Sequence, residues 1–494
     1  MTLPHETEAW ARIAARVGAP AVERGPVLES AGILFDWRRT LLPEGLLGDL
    51  EALAEAAGLE ERFCALAGGA VVNPSEGRAA THMALRDPAN RPGHEGMRRA
   101  AETLRSGRFD HVILIGIGGS ALGPALLADA LGADGDGPAV RVVSNIDGVA
   151  LARALADAVP ARTAIVAVSK TFTTLETLTN LASARAWLRA GGLAEPQDHL
   201  WAVTAAPARA EAAGIAGARV LGFPESVGGR YSLWSPVGIA LAVRCGWAAF
   251  EALLDGAHAM DRHVLSAPFS GNAGRIAGAL GLWHAAFLRR PTRAVFAYDQ
   301  RLQLLVPYLQ QLEMESCGKT VAADGTPLAF PTAPVTWGGT GTDAQHAVFQ
   351  LLHQGSHPDP VEFVAVAAPG HGLGGAHQRH LLSNCFAQGQ ALEAGRGFEA
   401  ALARSGGDAA LARQRSLPGG RPSATLLLDA LTPERLGALI AFYEARTYSF
   451  AVLAGLNPFD QWGVELGKEL AQAIAKGEGA VDPITRDLMA RAGL

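Results

Sequence analysis

The sequence predicts an α/β fold of mainly parallel sheets with helices on both faces, and three observations predict it. From His111 onward, short apolar runs rich in β-branched residues alternate with helical patterns, the rhythm of a parallel sheet. Two of these runs end in loops of glycines and hydroxyl side chains that lead straight into helices. A shorter copy of the same alternation begins near Ala267.

In the first unit the expected strands are His111–Ile115, Val140–Ser144, Thr163–Ser169, His199–Val203 and Arg219–Gly222. After the third comes Ser169-Lys-Thr-Phe-Thr-Thr174, followed by a helical pattern from Leu175 through Leu188. Free backbone N–H groups at a helix start, with short hydroxyls beside them, suit a phosphate monoester. The same hydroxyls could equally cap the helix and nothing more. The first strand runs into Gly116-Ile-Gly-Gly-Ser120 and then a helix through Leu131. That loop also fits a loose dinucleotide fingerprint, with Asp134, Asp136 or Asp147 as the acidic residue beyond it. Two hydroxyl-bearing strand ends in one sheet fit a single phosphate better than a dinucleotide. After the fifth strand, Gly228-Gly-Arg230 could lay a guanidinium over a ligand or form a surface turn, ahead of a helix over Val237–Ala249.

Residues 1–100 read as mostly helical, with helical spacing over Ala9–Val17 and Leu46–Leu66. Val72–Arg86 reads as a polar turn entering a helix, where Glu76, Arg78 and His82 are either functional or ordinary ion-paired positions. In the second unit the expected elements are strand Pro291–Tyr298, helix Arg301–Ser316 kinked at Pro307 and a strand near Val335. Helix Asp343–His353, strand Val361–Ala367 and helix Gly374–Ala394 follow. Gln311 and Glu315, four apart, share a helix face. His371, His377 and His380 lack a carboxylate at helical spacing, and no metal site is expected. Residues 395–422 read as an exposed excursion, Pro433–Leu456 as one helix, and Asn457–Lys468 as the entry to another. Gln461, Glu465 and Lys468 would fall on one face of that last helix.

The chain has 494 residues, 49% hydrophobic and 18% charged, enough for large buried cores and against disorder. A net charge of -6 with no basic tract argues against nucleic acid. Four scattered cysteines suit a reducing compartment. No secretory signal pattern is visible, and no apolar run reaches the ~20 residues of a membrane helix. These features point to a soluble cytoplasmic protein with no membrane partner.

Taken together, Ile115–Pro124, Ser169–Thr177, Gly228–Ser235, Gln311–Lys319, Gln345–Gly355 and Phe459–Lys468 resemble the phosphoglucose isomerase family. Smaller matches are Asn73–Arg86 and Gly420–Ser423, and the set runs through almost the whole chain in the family's order. The resemblance implies two sugar-isomerase (SIS) type α/β/α domains, at 101–262 and 263–456. They would be flanked by helical segments at 1–100 and 457–494, the latter completing the active site. It implies isomerisation of glucose 6-phosphate and fructose 6-phosphate without a cofactor, in a homodimer whose sites are shared between subunits. Residue by residue, it makes Glu315 the base and Arg230 the cation beside the reacting carbons. It makes His346, from the neighbouring subunit, and Lys468 the ring-opening pair. Gly119, Ser120, Ser169, Lys170, Thr171 and Thr174 match phosphate binders, and Gln311 and Gln461 match substrate contacts. Cys317, Ala121 and Asp343-Ala344 depart from the family's usual residues.

Two rivals remain at this point. A non-catalytic sugar-phosphate sensor could lose Glu315, His346 or Lys468, all of which are present. A nicotinamide oxidoreductase would use Gly116–Ala121 and leave the hydroxyls of Ser169–Thr174 without a purpose.

Overall fold

The computed structural model describes residues 3–477 and 481–494. Positions 1–2 and 478–480, within the expected terminal segments, lie outside the described residues.

The first sheet is five-stranded and parallel, in the order Val220–Gly222, Leu200–Thr204, Thr163–Val168, His111–Ile115, Ala139–Val143. Each strand lies within a residue or so of its expected place. Thr163–Val168 is buried along its whole length, as an apolar strand covered by helices on both faces must be. His111–Ile115 pairs directly with it, so the loops after Ile115 and Val168 leave the same carboxyl edge side by side.

The second sheet has six strands. Val335–Thr340, Thr292–Tyr298, Val361–Val366 and Ser423–Leu428 are parallel, as the βα pattern predicts. Ile33–Arg39 and Val27–Ser30 then add antiparallel at the Ser423–Leu428 edge. This corrects the reading of residues 1–100 as mostly helical. Ile33, Phe35 and Trp37 are buried while Leu34, Asp36 and Arg38 are not, the period of two that a strand with one face on the core requires.

Other elements are corrected in detail. Leu46–Ala56 and Leu59–Ala67 are separate helices, broken at Ala57-Gly58. Past a short hairpin of Val71–Asn73 and Arg78–Ala79, residues 82–86 form turns and no helix. The helix expected over Val237–Ala249 is two, Ile239–Cys245 and Trp247–Ser266. The excursion at 395–422 contains two short helices, Phe398–Arg404 and Ala409–Arg415. Helix Pro433–Ala454 is buried without interruption from Leu436 to Ala454, and carries Glu444 and Arg446 into the core.

The stretch after Pro307 departs most from expectation. Leu305–Leu309 is α-helical, and Gln310–Glu315 then widens into a π-helical turn. The extra residue per turn enters three residues after Pro307. Such wide turns recur at functional sites.

Candidate active site

Glu315 ends the π-helical turn, and its side chain is one-fifth exposed on the wall of an open cleft. Gln311, Lys319, Asp460, Gln461 and Trp462 line the same cleft. Gln311 and Glu315 thus share a face as expected, although the turn between them is wider than an α-helix.

Arg230 lies within the 3-10 turn Gly229–Trp234 and is almost wholly buried. Its Nη1 stands 3.6 Å from Glu315 Oε2. The rest of its fork is used up on fixed acceptors. Nε donates to Ser316 Oγ at 2.8 Å, Nη1 to Gln461 Oε1 at 3.0 Å, and Nη2 to the carbonyls of Pro458 and Asp460 at 2.5 and 3.0 Å. A guanidinium with its donors engaged this way has one orientation. Tyr231 shares a hydrogen bond with the same Ser316 hydroxyl at 2.9 Å, and burial pushes its phenol up to about 12, so it stays neutral. The surface-turn reading of Arg230 is therefore set aside.

The glycine loop of the first sheet closes on this pair. Gly118 has φ +55°, and a Cβ there would lie 3.0 Å from the Gln311 amide nitrogen. Ser120 follows, half-buried, at the carboxyl edge of the sheet. In the neighbouring loop Ser169 is buried, its Oγ accepting from the Phe172 N–H at 3.1 Å and pairing with Thr174 Oγ1 at 2.9 Å. Phe172 holds φ 51°, a costly conformation for a residue with a side chain, so this loop is pinned by its surroundings. Thr171 and Thr173 share a hydrogen bond at the exposed rim. Burial lowers the Lys170 ammonium from its usual range, with Arg78 adding to the effect.

Among residues that sequence reasoning assigned no role, Lys319 and Asp460 matter most. Lys319 Nζ donates to the carbonyls of Glu315 at 3.2 Å and Ser316 at 2.6 Å, closing the C-terminal end of the π-helical turn. Asp460 Oδ2 accepts from Ser75 Oγ at 2.6 Å and from Asn457 Nδ2 at 2.7 Å, which ties the loop carrying Gln461 to the N-terminal hairpin. Lys319 closes one of the matched motifs and was visible there. The role of Asp460 depends on contacts remote in sequence.

The other named residues stand apart. His346 is exposed on helix Gly341–Gln354, and Lys468 is exposed on helix Glu465–Lys476, which has no buried residue. Neither lines the cleft beside Glu315. Gln461 precedes that helix with a non-helical backbone, φ −153° and ψ 48°, so it does not share a helical face with Glu465 and Lys468. Glu76 and Arg78 pair with each other, and His82 is buried and stacked on Tyr231 at 4.7 Å, a structural arrangement. Asp136 pairs with Arg105 and Asp147 caps helix Gly148–Leu155, so neither is free for a ribose. Cys317 is buried, its thiol donating to the Thr447 carbonyl at 3.7 Å. Among the described residues no three His, Cys, Asp or Glu side chains are arranged to hold a metal.

The family model described as phosphoglucose isomerase matches residues 36–486. A glucose-6-phosphate isomerase of Rhizorhabdus wittichii is 52% identical over 476 residues, 94% of this chain and 93% of the relative. One of Zymomonas mobilis is 47% identical, covering 95% of this chain and 92% of the relative. The crystal structure of a glucose-6-phosphate isomerase from Chlamydia trachomatis superposes with a TM-score of 0.89 at 30% identity, covering 100% of this chain and 99% of that one. A fold and a sequence that agree over nearly their full length leave one assignment: the chain belongs to the phosphoglucose isomerase family.

Proposed function

We propose that this chain interconverts glucose 6-phosphate and fructose 6-phosphate through an enediolate, with Glu315 as the base and Arg230 as the fixed cation. The observation that carries this reading is the 3.6 Å approach of Arg230 Nη1 to Glu315 Oε2 at the cleft wall. Glu315 takes the proton from C2, and the electron pair left behind forms the enediolate. Its negative charge develops beside a guanidinium that needs no reorganisation to receive it. The proton returns to C1 while another passes between the two oxygens, so no redox cofactor enters the balance. The loops at Ser120 and Ser169–Thr174, with Gly119 and Lys170, take the phosphate, whose binding energy orients the distant reacting carbons. Gln311 and Gln461 contact the sugar.

Both substrates are mainly cyclic, and ring opening falls to His346 and Lys468. Their exposure, away from Glu315 in this chain, supports a homodimer in which a second copy brings His346 to the cleft. Helix Glu465–Lys476 leaves Leu466 and Leu470 exposed, and Ile484 and Leu488 are exposed on the following helix, which supports the same assembly. The same reading divides the chain at 101–262 and 263–456, with strands Val27–Ser30 and Ile33–Arg39 serving the second unit. It places the protein in the cytoplasm, in keeping with four free cysteines.

A coupled assay with glucose 6-phosphate and fructose 6-phosphate, run beside a binding titration with NAD(H), tests the reading. Turnover of both sugar phosphates without NAD(H) binding is expected. NAD(H) binding with no isomerisation would overturn it in favour of an oxidoreductase.

A further inference from the structure

Two residues before Glu315, the same π-helical turn carries a second carboxylate that faces the opposite way. Glu313 is buried, and its oxygens accept from Arg293 Nη2 at 2.6 and 2.5 Å, from Thr336 Oγ1 at 2.7 Å, and from Arg446 Nη1. These three partners come from three elements: strand Thr292–Tyr298, strand Val335–Thr340 and helix Pro433–Ala454. Arg293 is itself held by Glu362 through Nη1 at 3.0 Å, and Tyr443 donates to the same Glu362 oxygen at 2.6 Å. At the start of the turn, Gln310 Nε2 donates to the Thr336 carbonyl at 3.1 Å. The turn is thus tied to strand Val335–Thr340 at both Gln310 and Glu313. Burial pushes the Glu313 carboxyl up, but the two guanidiniums prevail and hold it at about 2, so it is ionised at any working pH.

A π-helical turn is less favourable than an α-helical one and needs an external hold. Reversion to α-helical register displaces each later residue by one position, a swing of about 100° around the axis. Such a swing would carry the Glu315 carboxylate off Arg230.

We propose that Glu313 is a positioning residue for the isomerisation: clamped by Arg293, Arg446 and Thr336, it holds the wide turn that sets Glu315 against Arg230. The inference rests on the proposed function, because it assigns Glu313 its role through the base of that reaction.

Two full-length variants test it, Glu313→Gln and the near-isosteric Thr336→Val, each assayed with unlabelled and C2-deuterated substrate. Misplacing a base by an ångström costs up to about 10²-fold, so kcat should fall by roughly that in Glu313→Gln and by about 3- to 10-fold in Thr336→Val. KM should stay within about twofold in both, since the phosphate loops are untouched. The deuterium isotope effect on kcat should rise, because proton transfer from a misplaced base becomes slower relative to the other steps. If Glu313→Gln does not fold, Thr336→Val decides. Activity that tracks only the folded fraction, with kcat per folded molecule and the isotope effect at wild-type values, would overturn the inference. An inactive wild type would instead overturn the functional reading, and this inference with it.

Discussion

Gly119 lies so close to Gly229 that a Cβ built on Gly119 would stand 2.2 Å from the Gly229 carbonyl carbon. The phosphate-side loop and the backbone just before Arg230 therefore touch without any side chain between them. Neither side can retreat easily, because Arg230 is fixed at four points. Gly119→Ala must push the Arg230 backbone away. The expected cost is about 1–3 kcal/mol of stability, as for overpacking elsewhere, together with a fall in kcat larger than any change in KM. Thermal melting and steady-state kinetics on the same preparation check this; an alanine variant with wild-type kcat would contradict it.

Thr174→Val keeps the shape of the phosphate loop and deletes the hydroxyl that pairs with Ser169 Oγ. Loss of one hydrogen bond to a charged group is worth about 1.5–3 kcal/mol, so KM for fructose 6-phosphate should rise at least tenfold. The thermal midpoint should move little, since Thr174 is not buried. Unchanged KM and kcat would remove Thr174 from the site.

A buried acidic pair predicts how stability responds to pH. Arg86 Nη1 donates to Glu444 Oε2 at 2.6 Å, whereas its Nε is 2.9 Å from Asp261 Oδ2 without pointing at it. Burial first, and then Glu444, push the Asp261 carboxyl up to about 7 despite Arg86. Unfolded, it titrates near 3.8. Below that value both states are protonated. Between the two values only the folded state keeps the proton, so this group's contribution to stability falls as pH rises and levels off above about 7. Asp261→Asn stays neutral throughout. Its melting temperature relative to wild type should therefore rise between about pH 5 and about pH 8. A difference that is constant across that range would contradict the shift.

Much of the first sheet was legible because its strands are short, mostly apolar runs bounded by loops, such as Ala164–Val168. Strand Ile33–Arg39 was missed in a stretch read as mostly helical, and its partner Ser423–Leu428 lies near the other end of the chain, so nothing local pointed to that pairing. The wide turn at Gln310–Glu315 has no signature in Gln-Gln-Leu-Glu-Met-Glu; its cause is the clamp on Glu313, supplied by residues from three remote elements. Motifs pointed to Glu315 and Arg230, but the orientation of Arg230 depends on the carbonyls of Pro458 and Asp460 and could not be read from either motif. His346 and Lys468 were equally legible as residue types, and one chain alone leaves both facing outward.

That outward placement can be tested by mixing. If the proposed homodimer forms, the Glu315→Gln and His346→Ala proteins should each be nearly inactive alone. After subunit exchange, hybrids should hold one site with both residues intact, and activity should return towards half of the wild-type value per hybrid. Exchange demonstrated by labelled subunits, with no recovery of activity, would contradict a site shared between copies.

The proposed isomerisation depends on Glu315 as the group that moves the carbon-bound proton. The direct measurement is exchange of the substrate C2 proton with solvent deuterium, followed by NMR in wild type and Glu315→Gln. Glutamine keeps the size and hydrogen bonding of the side chain beside Arg230 but cannot take a proton. Loss of a general base typically costs about 10²–10⁴-fold, so exchange and kcat should fall together by at least that range while KM changes little. A Glu315→Gln enzyme that exchanges the C2 proton at the wild-type rate would place the base elsewhere and contradict the account.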